Sequence, residues 1–170
     1  MWKWIAGIVA VPIGLGGIVY AIGLTLPRDH VARAELAVGA PPGDVARIVR
    51  DVEAQPSWRS GVRGIEVVRR TGGVLSYVEH SGDGDIAFDF VEETPGAVFR
   101  STITDPNLPF GGSWTIALAP EGEGTRISIE ERGEVRNPVF RFFARFVFGH
   151  ERTMRTYLAD LGRALKRAGG

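Results

Sequence analysis

Trp4 to Leu26 forms a run of 23 residues without a single charge. A helix that spans a bilayer needs about 20 predominantly apolar residues. Trp2 and Trp4 stand at one end, as interfacial aromatics do, while Arg28 and Arg33 follow the other. The run predicts one transmembrane helix, with residues 1–28 as an N-terminal anchor of a single-pass membrane protein. A cleaved signal peptide, cut near Ala21-Ile22-Gly23, is the competing reading, but the run exceeds the roughly 7–15 residues of a signal core. Lys3 and the amino terminus balance Arg28 and Arg33, so the side of the membrane stays open.

After Pro27 the pattern changes. Ala32, Ala34, Leu36 and Val38 alternate with polar or small residues and predict a half-buried strand over 31–38. Pro41 and Pro42 suit the first turn of a helix. Val45, Ile48, Val49 and Val52 then repeat at helical spacing, until Pro56 ends or bends the helix. From Val62 to Val135 turn signals punctuate runs rich in Val, Ile, Thr, Phe and Tyr. They predict an antiparallel meander with strands near 62–70, 74–81, 85–93, 97–104, 112–119 and 125–134.

The chain from Pro138 to Ala168 predicts a long helix, with Gly149 its one weak point. Phe140, Phe143, Val147, Met154, Leu158, Leu161 and Leu165 share one arc, and Arg141, Arg145, Arg152 and Arg163 the opposite one. His150 falls within the apolar arc, beside Phe146 and Tyr157. This arc is expected to face the sheet. On the sheet, Ile86, Phe88 and Phe90 form one apolar face, and Trp114, Ile116 and Leu118 another. Which residues of the preceding strand join Phe88 depends on the turn. A two-residue turn at Gly82-Asp83 brings Tyr77 and Glu79, whereas a three-residue turn brings Ser76 and Val78 and the more apolar face.

Composition narrows the chemistry. The chain has 170 residues, of which 44% are hydrophobic and 24% charged, which fits one globular domain after the anchor. It has no cysteine, so disulfides, thiolate metal sites and cysteine nucleophiles are excluded. Net charge is zero, and no global basic field points to nucleic acid. No histidine pair has metal-ligand spacing, and no phosphate-binding loop or serine elbow occurs. His30 is expected to face solvent, and His80 lies beside a hairpin turn. Glu130, Glu131 and Glu134 fall on both faces of one strand and form no recognisable site. No catalytic residue, metal or cofactor is assigned.

Four stretches carry a resemblance. Ala40-Pro41-Pro42-Gly43-Asp44-Val45, then Asp51, Pro56 and Trp58, then Gly112-Ser113-Trp114 with Gly124-Thr125-Arg126, and finally Phe148-Gly149 before a Met- and Leu-containing helix resemble the SRPBCC superfamily, of the START-like, polyketide cyclase/dehydrase type. The resemblance covers roughly Asp29 to Leu165. It implies an α+β helix-grip fold: a curved antiparallel sheet of six to seven strands around a long C-terminal helix, here in residues 29–170 and preceded by the transmembrane helix. It also implies a cavity between sheet and helix for a hydrophobic small molecule or lipid. The candidate ligand-binding residues are Trp58, Phe88, Trp114, Phe143, His150, Met154 and Tyr157, with Trp58 at the mouth. Plain core packing is the competing role for each aromatic. The function expected is binding or transfer of that ligand at a membrane reached through residues 4–26. The alternative is a cyclase/dehydratase-type enzyme using the same cavity. The oligomeric state is left open.

Overall fold

A computed structural model describes residues 15–82, 84–148 and 151–169, with backbone alone at 147–148. Seven strands form one sheet: β1 (Asp29–Val38), β2 (Val62–Thr71), β3 (Val74–Ser81), β4 (Gly84–Thr94), β5 (Val98–Ile103), β6 (Phe110–Glu121) and β7 (Gly124–Val135). Their spatial order is β1-β7-β6-β5-β4-β3-β2, and every pairing is antiparallel. Strands β2 to β7 form the expected meander, and β1 closes on β7. Helix α1 (Pro42–Arg50) and a 3-10 turn (Gln55–Ser57) carry the chain from one sheet edge to the other.

Helix α1 starts where proline permits it, with Pro41 at the cap and Pro42 in the first turn. It buries Val45 and Val49 against the sheet, and Val52 follows them into the core. The helix ends at Arg50, before Pro56, which lies in the 3-10 turn instead. The Thr125 hydroxyl donates to Ala40 O at 2.7 Å and ties the start of α1 to β7.

The C-terminal segment differs from the single helix expected. It divides into α2 (Pro138–Phe143), a π-helical turn (Ala144–Phe148) and α3 (Arg152–Ala168). Asn137 caps α2 by accepting from Val139 N and Phe140 N. A π turn inserts a residue and rotates all that follows, so one straight arc cannot persist across it. Met154, Leu158, Leu161 and Leu165 are buried, whereas Phe140 and Phe143 are exposed. Arg141, expected on the solvated side, is buried. It donates to Leu26 O at 2.9 Å and to Arg136 O at 3.3 Å.

Residues 15–25 are helical. Among the described residues no helix is long and apolar enough to cross a membrane, and residues 4–14 of the expected span lie outside them.

The β3–β4 hairpin settles the facing of β3. Ser81 pairs with Gly84, Glu79 with Ile86 and Tyr77 with Phe88, the register of a two-residue turn. The shorter turn thus puts Tyr77 and Glu79, rather than Ser76 and Val78, on the face that meets α3. That inner face also carries Ile65 and Val67, which pair with Glu79 and Tyr77.

Candidate ligand-binding site

The loop after the 3-10 turn brings Trp58 and Arg59 over the inner face. Two anchors hold it. The Asp160 carboxylate, buried on α3, accepts from Ser60 N at 2.6 Å and Ser60 Oγ at 2.7 Å, and it also receives Arg163. The Gln55 side chain, buried as well, accepts from Arg59 Nη1 at 2.6 Å. The loop is therefore positioned by the helix it faces.

Arg59 forms an ion pair with Glu79 at 2.6 Å, with side chains only 15% and 11% exposed. Such a pair persists when its remaining donors and acceptors are also satisfied; Gln55 supplies one of these contacts. The Arg59 guanidinium also lies 5.3 Å from the Tyr157 ring centroid. Tyr157 meets two tryptophans edge-on, Trp58 at 5.4 Å and Trp114 at 5.9 Å between centroids. Tyr77 stacks on Phe88 at 5.4 Å, and its hydroxyl lies 3.4 Å from Ser101 Oγ. These residues form an aromatic belt with an ion pair embedded in it.

Cross-strand geometry extends the belt. Trp114 on β6 faces Glu131 on β7, which in turn faces Ala32 on β1. Trp114 Nε1 donates to Glu131 Oε2 at 3.0 Å, and the other carboxylate oxygen lies 3.1 Å from His30 Nε2. The His30 ring lies flat against Gly133, in space that a Cβ there would claim. His30 is thus an inward residue with a 17% exposed side chain, contrary to the solvent position expected for it.

Burial sets the protonation of the two phenols. It pushes Tyr77 up to about 12, opposed in part by its hydrogen bond to Ser101. Burial also raises Tyr157, opposed by the charge of Arg59. Both remain neutral donors at physiological pH. Among the described residues, neither the Tyr157 hydroxyl nor the buried Trp58 Nε1 has a hydrogen-bond partner. Buried donors are ordinarily satisfied, and Trp58 Nε1 is the exception within the belt.

Of the seven residues expected here, Trp58, Phe88, Trp114, Met154 and Tyr157 all belong to, or pack against, one buried cluster. Met154 is wholly buried within that cluster rather than open to a cavity. Phe143 stands outside that cluster, 39% exposed, with its ring 5.6 Å from Phe142. His150 lies outside the described residues. Sequence reasoning misses Arg59, Glu131 and His30 as site residues and leaves Tyr77 and Glu79 open with the choice of turn. Strand parity with Ile127 and Ile129 is the signal for Glu131, and adjacency to Trp58 the signal for Arg59. Among the described residues no cluster of His, Asp and Glu could hold a metal ion.

Two recesses lie elsewhere, along the β1 edge beside α3. One, of about 1150 Å³, is lined by residues including Val31, Arg145 and Arg152. The other, of about 800 Å³, runs from Leu36 to Lys166. Neither includes the aromatic belt.

Known proteins place this architecture. A protein of Thermus thermophilus is 25% identical, with a TM-score of 0.64 over 83% of this chain and 100% of its own. A START superfamily protein from Mycobacterium smegmatis is 16% identical, with a TM-score of 0.64 over 82% of this chain and 99% of its own. The Zhui aromatase/cyclase from a Streptomyces species is 12% identical, with a TM-score of 0.68 over 84% of this chain and 96% of its own. The likeness to the last two shows the helix-grip fold alone. No protein of curated function matches the sequence. Residues 29–168 match the family described as polyketide cyclase / dehydrase and lipid transport, and the chain belongs to that family.

Proposed function

We propose that this protein binds or carries an apolar small molecule or lipid that bears one polar group. The ligand lies between the inner face of β2–β4 and the Trp58–Arg59 loop. Its apolar body contacts Trp58, Phe88 and Trp114, over the cluster that buries Met154. Its polar group accepts a hydrogen bond from the Tyr157 hydroxyl. The observation that carries this reading is the buried, unmatched Trp58 Nε1, set edge-on to Tyr157 among aromatics on a half-open face. A binding site combines such an apolar lining with a few converging polar groups. We further propose that residues 4–26 hold the protein to a membrane, on the strength of their charge-free length. A tether would place the site beside a reservoir of apolar ligand.

The test is mass spectrometry of small molecules that co-purify with the full chain extracted in mild detergent. A single class of amphipathic ligand is expected. It should be absent from Val67→Trp, whose added ring fills the half-open face, with circular dichroism showing that the variant keeps its fold. Equal ligand content in Val67→Trp would place binding elsewhere.

A second reading, a cyclase/dehydratase-type enzyme, draws on the Arg59–Glu79 and His30–Glu131 pairs. They put ionisable groups on the same face, within reach of proton-transfer chemistry. Recovery of a ligand together with its dehydrated or cyclised form, with only the unreacted form in Glu131→Gln, would favour it.

A further inference from the structure

The large apolar side chains that remain exposed are not scattered. In the helical residues 15–25, Leu15 is 62% exposed, Ile18 58% and Leu24 55%. In the interrupted C-terminal segment, Phe140 is 48% exposed, Phe143 39% and Phe146 60%. Besides these two segments, the described residues expose only Val31 and, on the far edge strand β2, Val68. Single exposed apolar residues are ordinary, but a contiguous group marks an interaction surface.

The two segments are joined. Gly23 lies directly against the Pro138 carbonyl, so close that a Cβ at this position would overlap the oxygen. Arg141, rising from α2 between the exposed phenylalanines, donates to Leu26 O at 2.9 Å. A cation at that point also suits the carbonyl end of the 15–25 helix. The phenylalanines are therefore fixed beside the end of the charge-free run.

Positive charge borders them. The recess that contains Val31 is lined by Arg33, Arg145, Arg152, Arg155 and Arg163, with Glu151 its one acid. Arg33, Arg155 and Arg163 are paired with Glu130, Glu151 and Asp160. Arg145 and Arg152 have no acidic partner among the described residues.

We propose that this face docks on an anionic phospholipid bilayer, with Phe140, Phe143 and Phe146 in the acyl–headgroup boundary and Arg145 and Arg152 on lipid phosphates. An apolar group flanked by unpaired arginines is what such an interface favours. The occupant is a bilayer rather than a protein because the exposed apolar side chains include those of helical residues 15–25, the described end of the charge-free run proposed above as the tether. The inference rests on the membrane tether proposed above and adds an orientation to it. The broken segment between α2 and α3, and the side of the domain that carries it, face the lipid. The β2 edge points away.

The chain has no cysteine, so single fluorophore sites can be introduced cleanly. Phe140→Cys, Phe146→Cys and Val68→Cys, each carrying an environment-sensitive nitrobenzoxadiazole dye, would be reconstituted as full-length protein. The liposomes would contain phosphatidylcholine and phosphatidylglycerol, with lipids brominated near the headgroup as quenchers. Labels at 140 and 146 should shift to the blue and be quenched, and the label at 68 should do neither. Arg145→Glu combined with Arg152→Glu, or omission of phosphatidylglycerol, should reduce the quenching while the protein still floats with the liposomes. Failure to float would remove the tether and the docking together. Flotation with labels at 140 and 146 as solvent-exposed as that at 68 would overturn the docking and leave the tether standing. A blue shift that grows with protein concentration and is insensitive to brominated lipid would assign the face to a second copy of the chain, and would overturn the proposal too.

Discussion

Two regions of the inner face are built on the same sheet and finished differently. Beneath α1 and the C-terminal half of α3, Val45, Val49, Phe99, Ile127, Ile129 and Leu161 are almost wholly buried. Side chains from both layers interdigitate there, and that region contributes most of the hydrophobic stabilisation. Under the Trp58–Arg59 loop, Ile65, Val67, Phe88 and Trp114 are only partly buried. There an ion pair and the unmatched Trp58 Nε1 take the place of aliphatic packing. Close packing makes the first region costly to alter and of little use to a ligand. The second gives up packing and keeps polar groups oriented for something from outside.

Cavity-forming substitutions should break the comparison first if it is mistaken. Leu161→Ala removes a wholly buried side chain and should cost about 2–5 kcal/mol. Val67→Ala, on the half-open face, should cost less than about 1 kcal/mol, since little packing is lost there. Urea denaturation of both variants decides the matter. Equal losses would mean that the two regions are packed alike.

The alkaline limb of stability is the next largest effect. Tyr77 is pushed up to about 12 by burial, while an unfolded tyrosine titrates near 10. The unfolded state therefore loses its proton first as pH rises. The stabilisation is full below about pH 10 and disappears between about pH 10 and 12. Two units correspond to about 3 kcal/mol. Tyr157 acts in the same direction. Denaturant midpoints of Tyr77→Phe should be flatter over this range than those of the parent chain. An unchanged slope would show that the phenol is already solvated.

The contrast between regions also explains what can be read from sequence. The strands, the meander and the α1 face are legible because period-2 and helical repeats record burial directly, as at Ala32, Ala34, Val45 and Val49. The filled region is periodic, so it is visible. The half-open region is not. Glu79 lies inward only because the Gly82 turn is one residue shorter than the more apolar alternative requires, and polarity alone argues the wrong way. The place of His30 beside Arg28 and Asp29 points to solvent, yet its imidazole covers Gly133, a contact set by cross-strand register. The C-terminal arc fails at Phe140 and Phe143 because a π turn changes the phase without leaving a strong residue signature.

Tyr157→Phe should separate binding from folding. The hydroxyl has no partner among the described residues, so its removal leaves no protein group unsatisfied. Stability should change little, while affinity for the co-purified ligand should fall by about 1 kcal/mol, roughly fivefold. Thermal unfolding without ligand and titration with it give the two numbers. A loss of stability with unchanged affinity would make Tyr157 a core residue and nothing more.

The smallest effect tests whether the regions are coupled. Arg50, at the end of α1, grips Glu92 of β4 at 2.8 and 2.5 Å, and so links the filled region to the strand that carries Phe88. The Arg50 guanidinium and then the Gly96 N–H hold the Glu92 carboxyl at about 2, below its ordinary 4.5. Protonation in the unfolded state comes first as pH falls, so this stabilisation is present above about 4.5 and is lost by about 2. Solvent screening limits it, because Arg50 is half exposed. Arg50→Gln should therefore cost less than about 1 kcal/mol near neutrality, less still in high salt, and nothing measurable near pH 2. If the regions act independently, ligand affinity in Arg50→Gln should equal that of the parent chain. A fall in affinity larger than the fall in stability would mean that α1 positions β4 for binding, and that the packed region does more than hold the sheet.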